Sequence, residues 1–133
     1  SAIANGGTLY KPMVANATLD EHDNPVTTFQ PQVLARLPCL DDVIREMRSD
    51  MQETGLSGTA KLLKDLPVSA AAKTGTAEIV PGRTINSLFT AFAPVQAPEV
   101  SITVLVEGSA SNQGYATRAA HGFLQWYFQQ NRQ

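Results

Sequence analysis

Two rhythms of apolar residues divide the chain. From Leu40 to Thr54 the apolar positions Leu40, Val43, Ile44, Met47 and Met51 recur at spacings of three and four, one face of an amphipathic helix that Gly55 stops. From Val100 to Glu107 the period falls to two: Val100, Ile102, Val104 and Val106 share a face, and Ser101, Thr103 and Glu107 point the other way, as in a half-buried strand. Val68 to about Val80 and Asn86 to Ala93 read as two further strands. The turns "PGR" and "APE" between the three are short enough to favour antiparallel neighbours. After the loop "GSASNQG", Ala116, Ala119, Ala120, Phe123, Leu124 and Tyr127 trace a second helical face, whose small residues let it lie close against a sheet. Between the first helix and the strands, "SGTAKLLKDL" offers Ser57 or Thr59 as the N-cap of a short helix ending before Pro67.

The first residues follow neither rhythm for long. "SAIANGG" reads as the last turn of a helix, with Asn5, Gly6 and Gly7 supplying its left-handed cap. "TLYKPMV" runs extended, because the residue before Pro12 is pushed out of the helical region. "ANATLDEHDNPVTTFQ" reads as a hairpin around a turn-rich centre. The sum is an α+β fold with a three-stranded antiparallel sheet, a C-terminal helix packed on it, and helices and a hairpin from the first part. A helix that opens in its last turn predicts that residues 1–133 are the C-terminal portion of a longer domain.

Composition narrows the chemistry. The 133 residues suit one domain with a core, and 43% apolar against 17% charged residues is ordinary globular composition. A net charge of −2 supplies no basic field for nucleic acid or an anionic membrane. No apolar run approaches the roughly 20 residues that cross a bilayer, and no basic region leads into an apolar stretch at the start. Cys39 is the single cysteine, which excludes an internal disulfide and a thiolate zinc cluster.

The stretch with candidate chemistry is "SAAAKTGTAE", Ser69 to Glu78. A phosphate loop would need glycines where Pro67 and Ala72 stand, so its backbone is missing. Lys73-Thr74-Gly75-Thr76 resembles instead the third active-site motif of penicillin-binding proteins and serine β-lactamases. "AIANGG" with "YKP" at Tyr10 to Pro12, "GTA" at Gly58 to Ala60 and "FAP" at Phe92 to Pro94 follow the same family in order. Together they resemble the second half of the transpeptidase domain of a class B penicillin-binding protein, and hence part of a β-lactamase/transpeptidase-like fold.

The resemblance implies a serine D,D-transpeptidase that cross-links peptidoglycan stem peptides ending in D-Ala-D-Ala and is acylated by β-lactams. It implies no metal and no cofactor. Lys73, Thr74, Gly75 and Thr76 would hold the substrate carboxylate, with Lys73 and Thr76 serving catalysis: the Thr76 amide as half of an oxyanion hole, Lys73 as positive charge near the missing serine loop. The family's Ser-x-x-Lys and Ser-x-Asn motifs do not occur; Ser69 and Lys73, like Ser57 and Lys61, are four apart instead of three. The isolated chain is therefore expected to lack the nucleophile, to be inactive and to self-associate through surface the upstream portion would cover. The resemblance also implies an anchored, extracytoplasmic parent working with other cell-wall synthesis proteins. A D,D-carboxypeptidase or β-lactamase, and a non-catalytic β-lactam sensor or wall-peptide scaffold, are the alternatives. His22 reads as a surface residue, His121 as a surface or boundary residue, Asp41 and Asp42 as helix-start carboxylates, and Trp126, Tyr127 and Phe128 as core and edge aromatics. Glu78 has no assigned role.

Overall fold

The computed structural model describes residues 1–39, 41–110 and 114–130. The chain opens in a helical turn that closes as a Schellman motif: the Gly7 amide donates to Ala2 O (2.7 Å) and the Gly6 amide to Ile3 O (3.4 Å). Gly6 takes φ +81°, the left-handed conformation this cap requires. Asn5 then ties the turn to the next strand, accepting from the Thr8 amide and donating to Thr8 O.

A long two-stranded ribbon follows. β1 (Thr8–Tyr10) pairs antiparallel with β4 (Val33–Arg36), and β2 (Ala17–Leu19) with β3 (Pro25–Thr28). The return strand β4 is absent from the sequence reading, because its residues are all exposed and carry no burial alternation. Between the two pairs the Lys11 amide donates to Gln32 O and the Phe29 amide to Asn16 O, each at 2.8 Å. Pro12 and Pro31 lie in this interval, where neither can donate to a ladder. At the tip, Asp20 Oδ1 accepts from the amides of His22 (2.8 Å) and Asn24 (2.9 Å), and Asp23 adopts φ +63°.

α1 (Asp41–Leu56) begins on the two aspartates expected there. Its buried line differs from the expected one. Ile44 and Gly55 are buried and Arg48 and Met51 half-buried, whereas Val43 and Met47 are exposed; Leu40 lies outside the described residues. The rotation has a cause: Arg48 donates to Ala4 O at 2.9 Å and to Val95 O, and its guanidinium stands 5.5 Å from the Phe92 ring centre, so its stem occupies the inner face. Gly55 does not stop the helix either. It sits inside the last turn, where a Cβ would come 3.0 Å from Ala70 O, so only glycine lets α1 lie this close to the chain entering the sheet. The short helix expected next is a 3₁₀ turn, Lys61–Asp65, capped by Ala60 without a side-chain bond; neither Ser57 nor Thr59 caps it.

β5 (Ala71–Val80), β6 (Thr84–Ala93) and β7 (Val100–Ser109) form the antiparallel sheet in that order, as the short turns require. β5 starts three residues later than expected, because Ser69 is occupied elsewhere: its hydroxyl accepts from the Val95 amide (3.1 Å) and donates to Gln96 Oε1 (2.9 Å). α2 (Tyr115–Gln130) lies on one face. Ala116, Ala120, Leu124 and Phe128 of α2 join Ala72, Phe89, Ala91 and Ala93 of the sheet and Leu63 of the 3₁₀ turn in the main core. Here too the helix is turned from expectation: Phe128 is inside, whereas Ala119 and Phe123 are exposed. On the opposite face Ala71, Phe92, Val95 and Ala4 form a smaller cluster with Met51 of α1.

Candidate active site strand

Lys73 to Thr76 lie on β5, which pairs on one side with β6 and is an outer strand of the sheet among the described residues. Alternation sorts their side chains. Thr74 pairs with Phe89 and Thr76 with Ser87, on the face that carries Ala72 and the main core; Lys73 pairs with Thr90 and Gly75 with Leu88, on the face of Ala71 and α1. The two hydroxyls thus share a side, as expected, but Lys73 rises from the other. Its ammonium folds down onto the strand and donates to the carbonyl of the next residue, Thr74 O, at 2.9 Å. Burial falls away along the same stretch: Ala71 and Ala72 are fully buried, Thr74 and Gly75 half-buried, Lys73 and Thr76 exposed.

Gly75 is informative by what does not demand it. A Cβ there would meet the Leu88 side chain at 3.4 Å, an ordinary contact, and its φ is not left-handed. The sheet itself would accept alanine. What the missing side chain leaves clear is the open face beside Lys73.

Thr59 enters this site although sequence reasoning gave it only a capping role. Its hydroxyl oxygen lies 2.8 Å from that of Thr74. The signal was the "GTA" tag at Gly58 to Ala60, whose order in the chain said nothing of a contact with β5. Glu78, without a role before, accepts from the Gly82 amide at 2.8 Å and closes the β5–β6 turn. His22 is exposed at the ribbon tip, His121 is half-buried on α2, and Trp126 is exposed. Ser69, with its proton and a lone pair both committed, is a structural link between the start of β5 and the loop after β6. Among the described residues no group of three or more His, Cys, Asp or Glu could hold a metal ion, and no helix is long and apolar enough to cross a membrane.

A family model described as the penicillin binding protein transpeptidase domain matches residues 1–125, nearly the whole chain and all of the strand just described. The chain belongs to that family. Penicillin-binding protein 2A of Bacillus subtilis is 31% identical over 121 residues, which cover 80% of this chain and 17% of that protein. Among solved structures, the D,D-transpeptidase domain of a peptidoglycan glycosyltransferase from Eggerthella lenta superposes with a TM-score of 0.82 at 22% identity, over 98% of this chain and 30% of that one. Penicillin-binding protein A of M. tuberculosis, as its imipenem acyl-enzyme, gives 0.75 at 27% identity, over 99% of this chain and 28% of that one. The transpeptidase fold and the family read from the motifs are thereby borne out. The chain spans well under a third of the curated relative, and no more than 30% of these two solved chains.

Proposed function

We propose that residues 1–133 are the C-terminal portion of a class B D,D-transpeptidase domain that cross-links peptidoglycan stem peptides, with the serine nucleophile supplied from outside these residues. The observation that carries this reading is the strand Lys73–Thr76: two hydroxyls on one face, and on the other an ammonium beside a glycine that the sheet does not require, at the rim of a transpeptidase-family fold.

The chemistry divides into two acyl transfers. The serine Oγ forms a bond to the carbonyl carbon of the penultimate D-Ala, and the C–N bond to the terminal D-Ala breaks as its nitrogen takes a proton. An amine of a second stem peptide then attacks the ester, and the serine leaves with a proton. This chain's part is to bind and to stabilise. Thr74 and Thr76 donate to the terminal carboxylate of the donor peptide. The Thr76 amide faces the developing oxyanion, and a preorganised donor of this kind lowers such a barrier by about 3–4 kcal/mol. Lys73 supplies positive charge beside the serine and its loop, and Gly75 lets the peptide lie against the strand as an added strand. The M. tuberculosis relative forms an imipenem acyl-enzyme, and the same acylation is expected of the protein that carries this chain. An extracytoplasmic location and contact with other wall-synthesis proteins follow from the same reading.

Intact mass after incubation with benzylpenicillin tests it. The full-length protein should gain one penicilloyl adduct and residues 1–133 alone none. A stoichiometric adduct on residues 1–133 alone would place the nucleophile within them, and no adduct on either would remove the penicillin-binding reading.

A further inference from the structure

The contact between Thr59 and Thr74 has no evident structural duty. Thr59 does not cap the 3₁₀ turn, whose N-cap is Ala60, and both hydroxyls sit where water can reach them. Yet the corner presenting Thr59 is fixed on both sides. Gly58 lies so close to the end of α1 that a Cβ would stand 3.0 Å from the Thr54 backbone. Ala60 is fully buried, its amide donates to Thr54 O at 3.2 Å, and the Lys61 amide donates to Gly58 O at 3.3 Å. Thr59 is thus an exposed polar side chain held out from a rigid corner toward the first hydroxyl of the Lys73–Thr76 strand.

Proton counting gives this contact a direction. Each threonine hydroxyl has one proton and two lone pairs, and a carboxylate can only accept. If Thr74 gives its proton to a carboxylate, the 2.8 Å contact is satisfied only when Thr59 donates to Thr74. The hydroxyls then form a chain, Thr59 to Thr74 to carboxylate, in which donation into the Thr74 oxygen polarises its own O–H and strengthens the outer bond. The bond also holds the Thr74 rotor, which would otherwise lose freedom when ligand binds. A neutral group in place of the carboxylate draws less from such a chain, since bonds to charged acceptors are roughly twice as strong.

We propose that Thr59 is a specificity-determining positioning residue: by donating to Thr74 it orients that hydroxyl and makes the strand selective for ligands with a free carboxylate over neutral analogues. This inference rests on the reading of Thr74 as a carboxylate ligand given above, and adds to it a residue from a different part of the fold.

The test uses the full-length protein and two probes, benzylpenicillin and its methyl ester, with the ratio of their second-order acylation rates as the readout. Thr59→Val keeps the shape and removes the hydroxyl; it should lower the acid-to-ester ratio about tenfold, mostly through the acid. Thr59→Ser restores the donor and should keep the ratio near wild type. In a Thr74→Val background, Thr59→Val should change the ratio no further, because its action passes through Thr74. Thr59→Ala serves as a second hydroxyl-free variant if the branched side chain disturbs the corner. An unchanged ratio in the hydroxyl-free variants, or equal losses with acid and ester, overturns the proposal while the acylation itself upholds the transpeptidase reading. Failure of the wild-type protein to be acylated by either probe overturns that reading and this inference with it.

Discussion

Gly55 sets two effects of known size against each other, and the structure decides which wins. Replacing an interior helical glycine by alanine favours the helix by up to about 1 kcal/mol. At Gly55, however, the added Cβ would lie 3.0 Å from Ala70 O and 3.7 Å from Leu63 Cδ1, and the nearer atom is backbone of the segment entering β5. Overfilling a packed contact of this kind costs about 1–3 kcal/mol. Gly55→Ala should therefore destabilise the protein, by up to about 2 kcal/mol net. Gly122 supplies the control, since it lies inside α2 and a Cβ there meets nothing within 4 Å. Gly122→Ala carries the propensity gain without the clash and should stabilise by up to about 1 kcal/mol. Urea unfolding of both variants, compared at unchanged m-value, separates the signs. Equal upward shifts of the two midpoints would refute the claim that α1 and the start of β5 are held at glycine distance.

Two further outcomes follow from the core and from the ribbon tip. Leu124 is fully buried in the main core; Leu124→Ala should cost about 2–5 kcal/mol, a large share of the 5–15 kcal/mol typical of a whole domain, and a loss below about 1 kcal/mol in urea unfolding would contradict the packing of α2 on the sheet. The Asp20 carboxyl is held below the usual aspartate range, first by the backbone amide of Asn24, then by the Asn24 side chain and the His22 amide. Because the folded form binds its proton less readily, the turn gains order at pH above the ordinary aspartate value and loses it as pH falls through the lowered one. The amide resonance of Asn24 should therefore show a transition with a midpoint below that of a free aspartate; a midpoint at or above the free value would contradict the hydrogen bonds at the tip.

Periodicity recovered the elements and the inward face of β7, and it turned the faces of the two long helices. The two long helices and β7 were legible because each carries a sustained repeat of three to four or of two residues, and the antiparallel neighbours from the short turns between the strands. The inward lines of α1 and α2 were not, since counting apolar residues treats each one as equally inward. Arg48 shows why that fails: its charge marks it as outward, yet it meets backbone carbonyls and an aromatic ring that the linear sequence does not reveal. β4 was illegible for the opposite reason. Its pairing with β1 is backbone hydrogen bonding, and all of its own side chains are exposed, which leaves no trace in burial alternation. The Lys73–Thr76 strand was found by its motif, whereas Thr59 joins it through a contact across 15 residues that only the folded corner creates.

Alternation along β5 presents two chemistries on opposite sides of one strand, and the small residues before Lys73 let helices pack on both faces just ahead of it. Ala70 faces Gly55 of α1 across a gap with no room for a side chain, Ala71 packs with Phe92 and Val95, and Ala72 packs with Ala91 and the core under α2. Larger side chains here would push one helix or the other off the sheet. Ala71 and Ala72 are sealed on opposite faces, and the register of β5 against β6 runs unbroken from Ala71↔Phe92 through Glu78↔Ile85. A slip of one residue would exchange every side chain between faces, placing Lys73 on the Thr59 side and both threonines on the other. The alanines let both helices close on the sheet, and the register of β5 against β6 decides which face receives the ammonium and which the two hydroxyls. Beyond them the strand leaves the helices, and its exposure rises over the same residues that carry the chemistry.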